Sequence, residues 1–137
     1  MCCWCKITYY GTSNSANGII TYHGHESGGP GITMKYISDS DYRISFNAGT
    51  NSNNRVYNHY YGNTNIYNEW HHLCLTYERA TQKYRLYVDG KIQTLYDSNG
   101  TSKGNFVIFA DTIAERPFNV FDWSTDYSIN ANYRPAC

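Results

Sequence analysis

The stretch from Trp70 to Lys91, WHHLCLTYERATQKYRLYVDGK, constrains the fold of this 137-residue chain more than any other segment. WHHLCLTYE (70–78) and KYRLYVDG (83–90) alternate apolar and polar residues with the period of two that half-buried strands require. RATQ (79–82) between them predicts a turn, so the two segments predict an antiparallel hairpin. Asp89-Gly90 supplies the residues that a tight turn needs at positive φ. KIQTLYD (91–97) is then predicted to return as a third strand of the same meander.

Short segments of the same kind recur along the chain and predict further strands at 2–10, 19–24, 32–38, 42–48 and 105–111. The segments 32–38 and 42–48 flank Asp-Ser-Asp and predict a second hairpin. Residues 49–69 are rich in Asn and predict a long exposed loop, within which RVYNHYY (55–61) could form a strand. The tail, 112–137, predicts one or two short strands at most. Residues 1–137 therefore predict a single all-β sandwich domain.

Charge and hydropathy exclude two classes of function. The formal net charge is zero and only 16% of residues are charged, so the chain has no basic stripe with which to capture nucleic acid. No apolar run approaches the roughly 20 residues that a membrane-spanning helix requires. The first ten residues, MCCWCKITYY, lack the basic start and apolar segment of a signal peptide.

The cysteines predict no disulfide framework. Their number is odd, and CCWC is neither a spaced framework nor a zinc-binding C-x-x-C pair. Alternation places Cys3 and Cys5 on one face of a strand, and Cys2 and Trp4 on the other. We interpret the cysteines as small apolar residues of a chain made in a reducing compartment: Cys2, Cys3, Cys5, Cys74 and Cys137.

The segment EWHHLCLTYERATQKYRLYVDGKIQ (69–93) resembles the central signature of laminin G-like domains, which are jelly rolls of the concanavalin A-like superfamily. The matching residues are Trp70, His72, Leu73, Leu75, Leu86, Tyr87, Val88, Asp89, Gly90 and Lys91. CWCKI, GIITYHG and ITMKYISDSDYRISFNAG are similar to earlier strands of that family, so the resemblance covers about residues 2–110.

The resemblance implies an antiparallel β-sandwich of the jelly-roll type. It also implies an opening strand and a closing strand that this chain lacks, so we expect a fragment of a larger protein or sheet edges covered by partner chains. The Asn- and Tyr-rich character is similar to modules of bacteriophage tail and fibre proteins. We therefore expect an oligomer or part of a larger chain, on a virion or extracellular surface.

Catalytic and metal sites are not expected. Hydrolysis of a glycosidic bond requires two carboxyl groups about 5–9 Å apart, and the family's Glu-x-Asp-x-x-Glu pattern is missing. The adjacent His71 and His72 point to opposite faces of a strand, so they cannot easily share a metal. The resemblance implies instead that Trp70 and one histidine are structural. No cofactor is expected, although calcium stays open at Asp39, Asp41, Asp111, Asp122 and Asp126.

The aromatic and polar segments favour carbohydrate binding, because aromatic rings contact the C–H faces of sugars while amides and carboxylates bind their hydroxyls. The chain has 15 tyrosines, several of which lie among asparagines in 55–68, and FDWSTDY (121–127) adds a tryptophan. We expect a non-catalytic, lectin-like module for cell-surface glycans, or else a structural module without glycan binding. For Tyr60 and Trp123 the alternative is a role in closing the core. The predicted ligand-binding residues are Tyr57, His59, Tyr60, Tyr61, Asn63, Asp122 and Trp123.

Overall fold

The structure, a computed structural model, describes residues 2–6, 18–22, 31–38, 40–48, 58–108 and 118–120. All regular elements in these ranges are strands. In chain order they are β1 (Cys2–Lys6), β2 (Gly18–Tyr22), β3 (Gly31–Ser38), β4 (Asp41–Ala48), β5 (Asn58–Asn65), β6 (Trp70–Glu78), β7 (Lys83–Val88), β8 (Lys91–Ile92), β9 (Leu95–Tyr96), β10 (Ser102–Gly104), β11 (Val107–Ile108) and β12 (Phe118–Val120).

The strands form two antiparallel sheets. The five-stranded sheet has the order β1-β6-β7-β11, with β8 also paired to β7. The seven-stranded sheet has the order β10-β9-β5-β4-β3-β2-β12. Because β1 pairs with β6 and β5 with β9, distant parts of the chain become neighbours in both sheets.

The core lies between the two sheets and confirms the β-sandwich. In β6 and β7 the buried side chains alternate with less buried ones, as the period of a strand requires. Phe46 on β4 and Tyr84 on β7 meet across the sandwich with ring centroids 5.8 Å apart. The fully or nearly buried apolar residues are Cys5, Ile32, Met34, Tyr42, Ile44, Phe46, Ile66, Leu73, Leu75, Tyr84, Leu86, Val88, Leu95 and Val107.

The hairpin predicted at 70–90 is confirmed. β6 and β7 pair in register from Leu73–Val88 to Glu78–Lys83. Asp89 and Gly90 adopt φ values of 51° and 74°, the left-handed conformation that a two-residue hairpin turn requires. The hairpin of β3 and β4 and the optional strand within 49–69 are also present, the latter as β5.

Two strand predictions need correction. The segment 91–97 does not form one strand of a meander, because β8 pairs with β7 whereas β9 crosses to the other sheet and pairs with β5. The apolar run at 105–111 predicted a buried strand. Of its described part only the two residues of β11 are paired, and Ile108 is exposed because β11 lies at the edge of the sheet, beside β7 alone.

The sequence indicated mostly small apolar cysteines and left their pairing open, and for Cys2 and Cys74 the structure corrects that interpretation. Cys2 on β1 lies directly opposite Cys74 on β6, and the two form a disulfide. The register between the two strands brings the sulfur atoms together, and the sequence does not reveal that register. Cys3 is half-buried and Cys5 buried, on the face that alternation predicts. Cys137 lies outside the described residues.

Candidate functional site

The outer face of the seven-stranded sheet carries a row of side chains that crosses four strands. In the register of the sheet, Thr33 on β3 lies opposite Ser45 on β4, Ser45 opposite Tyr61 on β5, and Tyr61 opposite Tyr96 on β9. Thr33 and Ser45 are buried, and their hydroxyl oxygens are 2.6 Å apart. Small side chains on β4 and large ones on β5 and β9 leave space for a long side chain from β3 to reach across.

The Lys35 side chain extends from β3 across β4, and its Nζ lies 4.0 Å from the centroid of the Tyr61 ring. The Tyr96 ring stacks beside Tyr61, with centroids 5.5 Å apart and planes inclined by 25°. We name these three residues the tyrosine–lysine row. All three side chains are half-buried. Because both faces of Tyr61 have neighbours, the row offers a ligand ring edges, hydroxyls and an ammonium group.

The polar tips of the row have no hydrogen-bond or ion-pair partners among the described residues. Neither phenol oxygen, of Tyr61 or Tyr96, makes a hydrogen bond in that part of the chain. A phenol can both donate and accept a hydrogen bond, and an ammonium group donates three. Within the described ranges, the row therefore holds several polar groups that ring contacts position and that no other residue engages.

His59 stands two residues before Tyr61 on β5 and therefore shares the outer face. Burial and the positive charge of Lys35 lower its pKa from 6.5 to about 4. The imidazole is therefore neutral at pH 7. Its Nε2 is buried and has no hydrogen-bond partner. Burial also lowers the pKa of Lys35, an effect that the negative charge of Asp97 opposes.

β5 contains a bulge immediately after Tyr61. Ser45 pairs with Tyr61 whereas Arg43 pairs with Asn65, so β5 carries extra residues between these points. Gln93 stabilises the bulge, because its Oε1 accepts hydrogen bonds from the backbone nitrogens of Asn63 (3.2 Å) and Thr64 (3.0 Å). The Asn63 side chain is exposed at this bulge.

The structure brings together only some of the predicted ligand-binding residues. His59 and Tyr61 share the outer face, with Asn63 at the bulge beside them. Tyr60 points to the opposite face, where its ring centroid lies 5.7 Å from that of Phe46. This placement fits the alternative role of Tyr60 in closing the core. Tyr57, Asp122 and Trp123 lie outside the described residues.

Sequence reasoning did not single out Lys35 or Tyr96 for the site. Lys35 alternates with the buried Ile32 and Met34 on β3, and this pattern indicated an outward-facing residue but not its neighbours. Tyr96 was assigned to the wrong sheet, so it could not be placed beside Tyr61. The sequence signal that could have revealed this contact is Ser45. It is a small residue on β4, between β3 and β5, and it allows side chains of these two strands to meet on the outer face.

The two adjacent histidines point to opposite faces, as predicted. His71 is buried, and its Nδ1 lies 2.7 Å from Oδ2 of Asp89. Asp89 Oδ1 accepts a hydrogen bond from the backbone nitrogen of His72. Burial raises the pKa of Asp89, but these hydrogen bonds outweigh it and the pKa lies below its ordinary value. The histidine that is buried and hydrogen-bonded is therefore His71, whereas the motif match used His72.

Metal and membrane sites can be assessed only for the described ranges. There, no three His, Cys, Asp or Glu side chains come together in a group that could hold a metal ion. Asp41, one of the five calcium candidates, forms an ion pair of 2.8 Å with Arg43. The other four, Asp39, Asp111, Asp122 and Asp126, lie outside these ranges. Within them, no helix has the length and apolar character needed to cross a bilayer.

The outer face of the five-stranded sheet carries large exposed apolar side chains. Trp4 and Trp70 on neighbouring strands are 59% and 52% exposed, and Ile92 on β8 is 42% exposed. His72 lies opposite Trp4 in the register of β1 and β6, with its ring centroid 5.3 Å from that of Trp4. This second surface is aromatic like the first, but its most exposed aromatic side chains are tryptophans.

Comparison with known proteins agrees with this architecture. Residues 1–122 match a laminin G-type family model that describes the concanavalin A-like lectin/glucanases superfamily. No curated protein and no solved structure gives a significant match. Because the family model covers most of the chain and the described strands form two packed antiparallel sheets, this chain belongs to the concanavalin A-like lectin/glucanase superfamily.

Proposed function

We propose that this domain is a non-catalytic, lectin-like module that binds carbohydrate through the tyrosine–lysine row. The observation that carries the proposal is that Lys35, Tyr61 and Tyr96 hold their polar tips side by side without partners in the described part of the chain. Sugars carry closely spaced hydroxyls that donate and accept hydrogen bonds, and phenols can do both. Ring contacts fix the side chains in advance, which lowers the entropic cost of binding.

A non-catalytic role is supported by the engagement of the described carboxylates near the row. Asp97 forms an ion pair of 2.9 Å with Lys103, and its Oδ1 accepts hydrogen bonds from the backbone nitrogens of Asn99 and Thr101. Asp41 is paired with Arg43. Glycoside hydrolysis requires one carboxyl group to act as an acid and a second as a base or nucleophile. From the Asn- and Tyr-rich character of the sequence, we propose that the domain belongs to an adhesin, such as a bacteriophage tail or fibre protein, on a virion or extracellular surface.

The test is binding of the full chain to a glycan array, followed by titration calorimetry on the glycans retained. Tyr61→Ala removes the centre of the row, and Tyr96→Phe removes one hydroxyl while it keeps the ring contact. We expect each change to weaken binding about tenfold or more, the equivalent of about 1.4 kcal/mol. Tyr87→Phe, on the outer face of the other sheet, is the matched control and should bind like the unchanged protein.

A second function, a protein-interaction module without glycan binding, is favoured by the exposed Trp4, Trp70 and Ile92 on the five-stranded sheet. Apolar patches of this kind mark contact surfaces. Its partner would be a neighbouring subunit of the same assembly. Association that is lost on Trp4→Ser, in a protein that binds no glycan, would support this function and argue against the first.

A further inference from the structure

Lys35 differs from the other cations near the outer face of the seven-stranded sheet because it has no carboxylate partner in the described ranges. Arg43, opposite it on β4, donates hydrogen bonds of 3.0 and 2.8 Å to both oxygens of Asp41. Lys103 pairs with Asp97 at 2.9 Å. The only contact of the Lys35 ammonium group in the described structure is the face of Tyr61, 4.0 Å from the ring centroid.

Among the described residues, this arrangement leaves the half-buried ammonium group of Lys35 without an ion-pair partner. Asp97 is the carboxylate whose field reaches Lys35, but its two oxygens are held by Lys103 and by two backbone N–H groups. A charge that has lost part of its hydration gains more from an added anion than a fully hydrated surface charge does. The ring of Tyr61 also holds the ammonium group in one place, so little side-chain entropy is lost when an anion binds.

His59 adds no competing cation to this face. Its imidazole is neutral at pH 7 because burial and the charge of Lys35 lower its pKa to about 4. In the described part of the chain, the outer face therefore offers the ammonium group of Lys35, which has no ion-pair partner there, together with the phenols of Tyr61 and Tyr96. A ligand that satisfies all three groups carries a single negative charge close to several hydroxyls.

Building on the glycan-binding function proposed above, we infer that the tyrosine–lysine row selects an acidic saccharide. The carboxylate of a uronic or sialic acid pairs with Nζ of Lys35, and hydroxyls of the same sugar bond to the phenols of Tyr61 and Tyr96. Neutral sugars satisfy the phenols but leave the ammonium group without an anion. A sulfate ester also pairs with an ammonium group, which is a compact point charge, so a sulfated polymer tests whether the row requires a carboxylate.

The experiment compares polymers that share a backbone and differ in charge. Polygalacturonate and its methyl ester, polysialic acid, and dextran with dextran sulfate are titrated against the full chain at low and high salt. We expect polygalacturonate or polysialic acid to bind at least about tenfold more tightly than neutral polymers, with the difference reduced at high salt. Lys35→Met should abolish the preference for acid over ester, and Lys35→Arg should retain most of it.

The matched control is Lys83→Met. Lys83 is the other lysine over an aromatic ring, 4.5 Å from the centroid of Phe106, but it lies on the five-stranded sheet. Lys83→Met should leave the preference for acid over ester unchanged. Urea unfolding checks that each variant is folded. Equal binding of acid and ester, or dextran sulfate binding that depends equally on Lys35, would overturn this inference. In either case, glycan binding that is lost in Tyr61→Ala would still support the proposed function. If the protein binds no glycan at all, both the proposed function and this inference are wrong.

Discussion

At the scale of single residues, His59 predicts how stability depends on pH. Its pKa is lowered to about 4, whereas the unfolded chain takes up the proton near 6.5. Between these values the unfolded state binds more protons than the folded state, so stability falls as pH decreases through this window. The free energy of unfolding is lower by about 3 kcal/mol once the pH is below 4. Above pH 7 the contribution of His59 to stability does not change with pH.

Urea unfolding of the unchanged protein, His59→Gln and His72→Gln between pH 7.5 and 4 measures this effect. His59→Gln should flatten the dependence, while His72→Gln, a half-exposed histidine of the other sheet, should keep it. The pKa of Asp89 lies below its ordinary value of 3.8, so this carboxylate does not titrate in the pH range of His59. Parallel pH profiles for the unchanged protein and His59→Gln would contradict the assignment.

The sequence predicted the direction of single side chains better than their partners. Alternation placed His71 and His72 on opposite faces, and Cys3 and Cys5 on the same face, because the period of a strand is a local property. It did not predict that Lys35 reaches Tyr61, since that contact depends on which strands lie side by side. The sequence therefore pointed to His59 and Tyr61 but not to the lysine beside them.

At the scale of elements, Gln93 is predicted to hold the bulge of β5 in place. Its side chain is buried, its Oε1 accepts two backbone hydrogen bonds, and its Nε2 donates one of 3.1 Å to Lys91 O. Gln93→Leu leaves the amides of Asn63 and Thr64 without their acceptor and should lower the free energy of unfolding by about 2–4 kcal/mol.

The control for this prediction is Ile92→Thr, a change at the neighbouring exposed position that should alter stability by less than about 0.5 kcal/mol. Chemical denaturation measures both variants. Because the bulge follows Tyr61 directly, Gln93→Leu should also weaken any glycan binding that depends on the row. A Gln93→Leu protein as stable as Ile92→Thr would show that the two amides find other acceptors.

Strands that pair with their sequence neighbours were predicted well, and strands that change sheet were not. β6 and β7 are joined by a short turn, and both alternate regularly, so their residues alone indicate the hairpin. The segment 91–97 also alternates, but the backbone passes from one sheet to the other at Gln93 and Thr94. A buried glutamine in an otherwise strand-like segment is consistent with a continuous strand, so the sequence did not reveal the crossing.

At the scale of the whole molecule, the sandwich depends on pairing between strands that are distant in the chain. This pairing is the feature of the fold that the sequence predicts least well. β1 and β6 are distant in the chain, yet they are adjacent in the five-stranded sheet. The alternating segments and the family resemblance both indicated a β-sandwich, but neither indicated the order of the strands within each sheet. The register of β1 on β6 remained unknown until the structure placed Cys2 opposite Cys74, which converts two apparent core residues into a covalent link.

The disulfide predicts a large dependence of stability on redox conditions. It joins residues separated by 72 positions, and closing a loop of that length reduces the entropy of the unfolded chain by the equivalent of about 4 kcal/mol. Reductant should therefore lower the urea midpoint of the unchanged protein. The double variant Cys2→Ser with Cys74→Ser should unfold at that lower midpoint whether or not reductant is present.

The disulfide holds β1 to β6 in addition to the backbone hydrogen bonds between these strands. Amide hydrogen exchange should therefore accelerate most in β1 when the disulfide is reduced. An unchanged midpoint in reductant, with the bond shown to be reduced by thiol titration, would contradict this role for the disulfide.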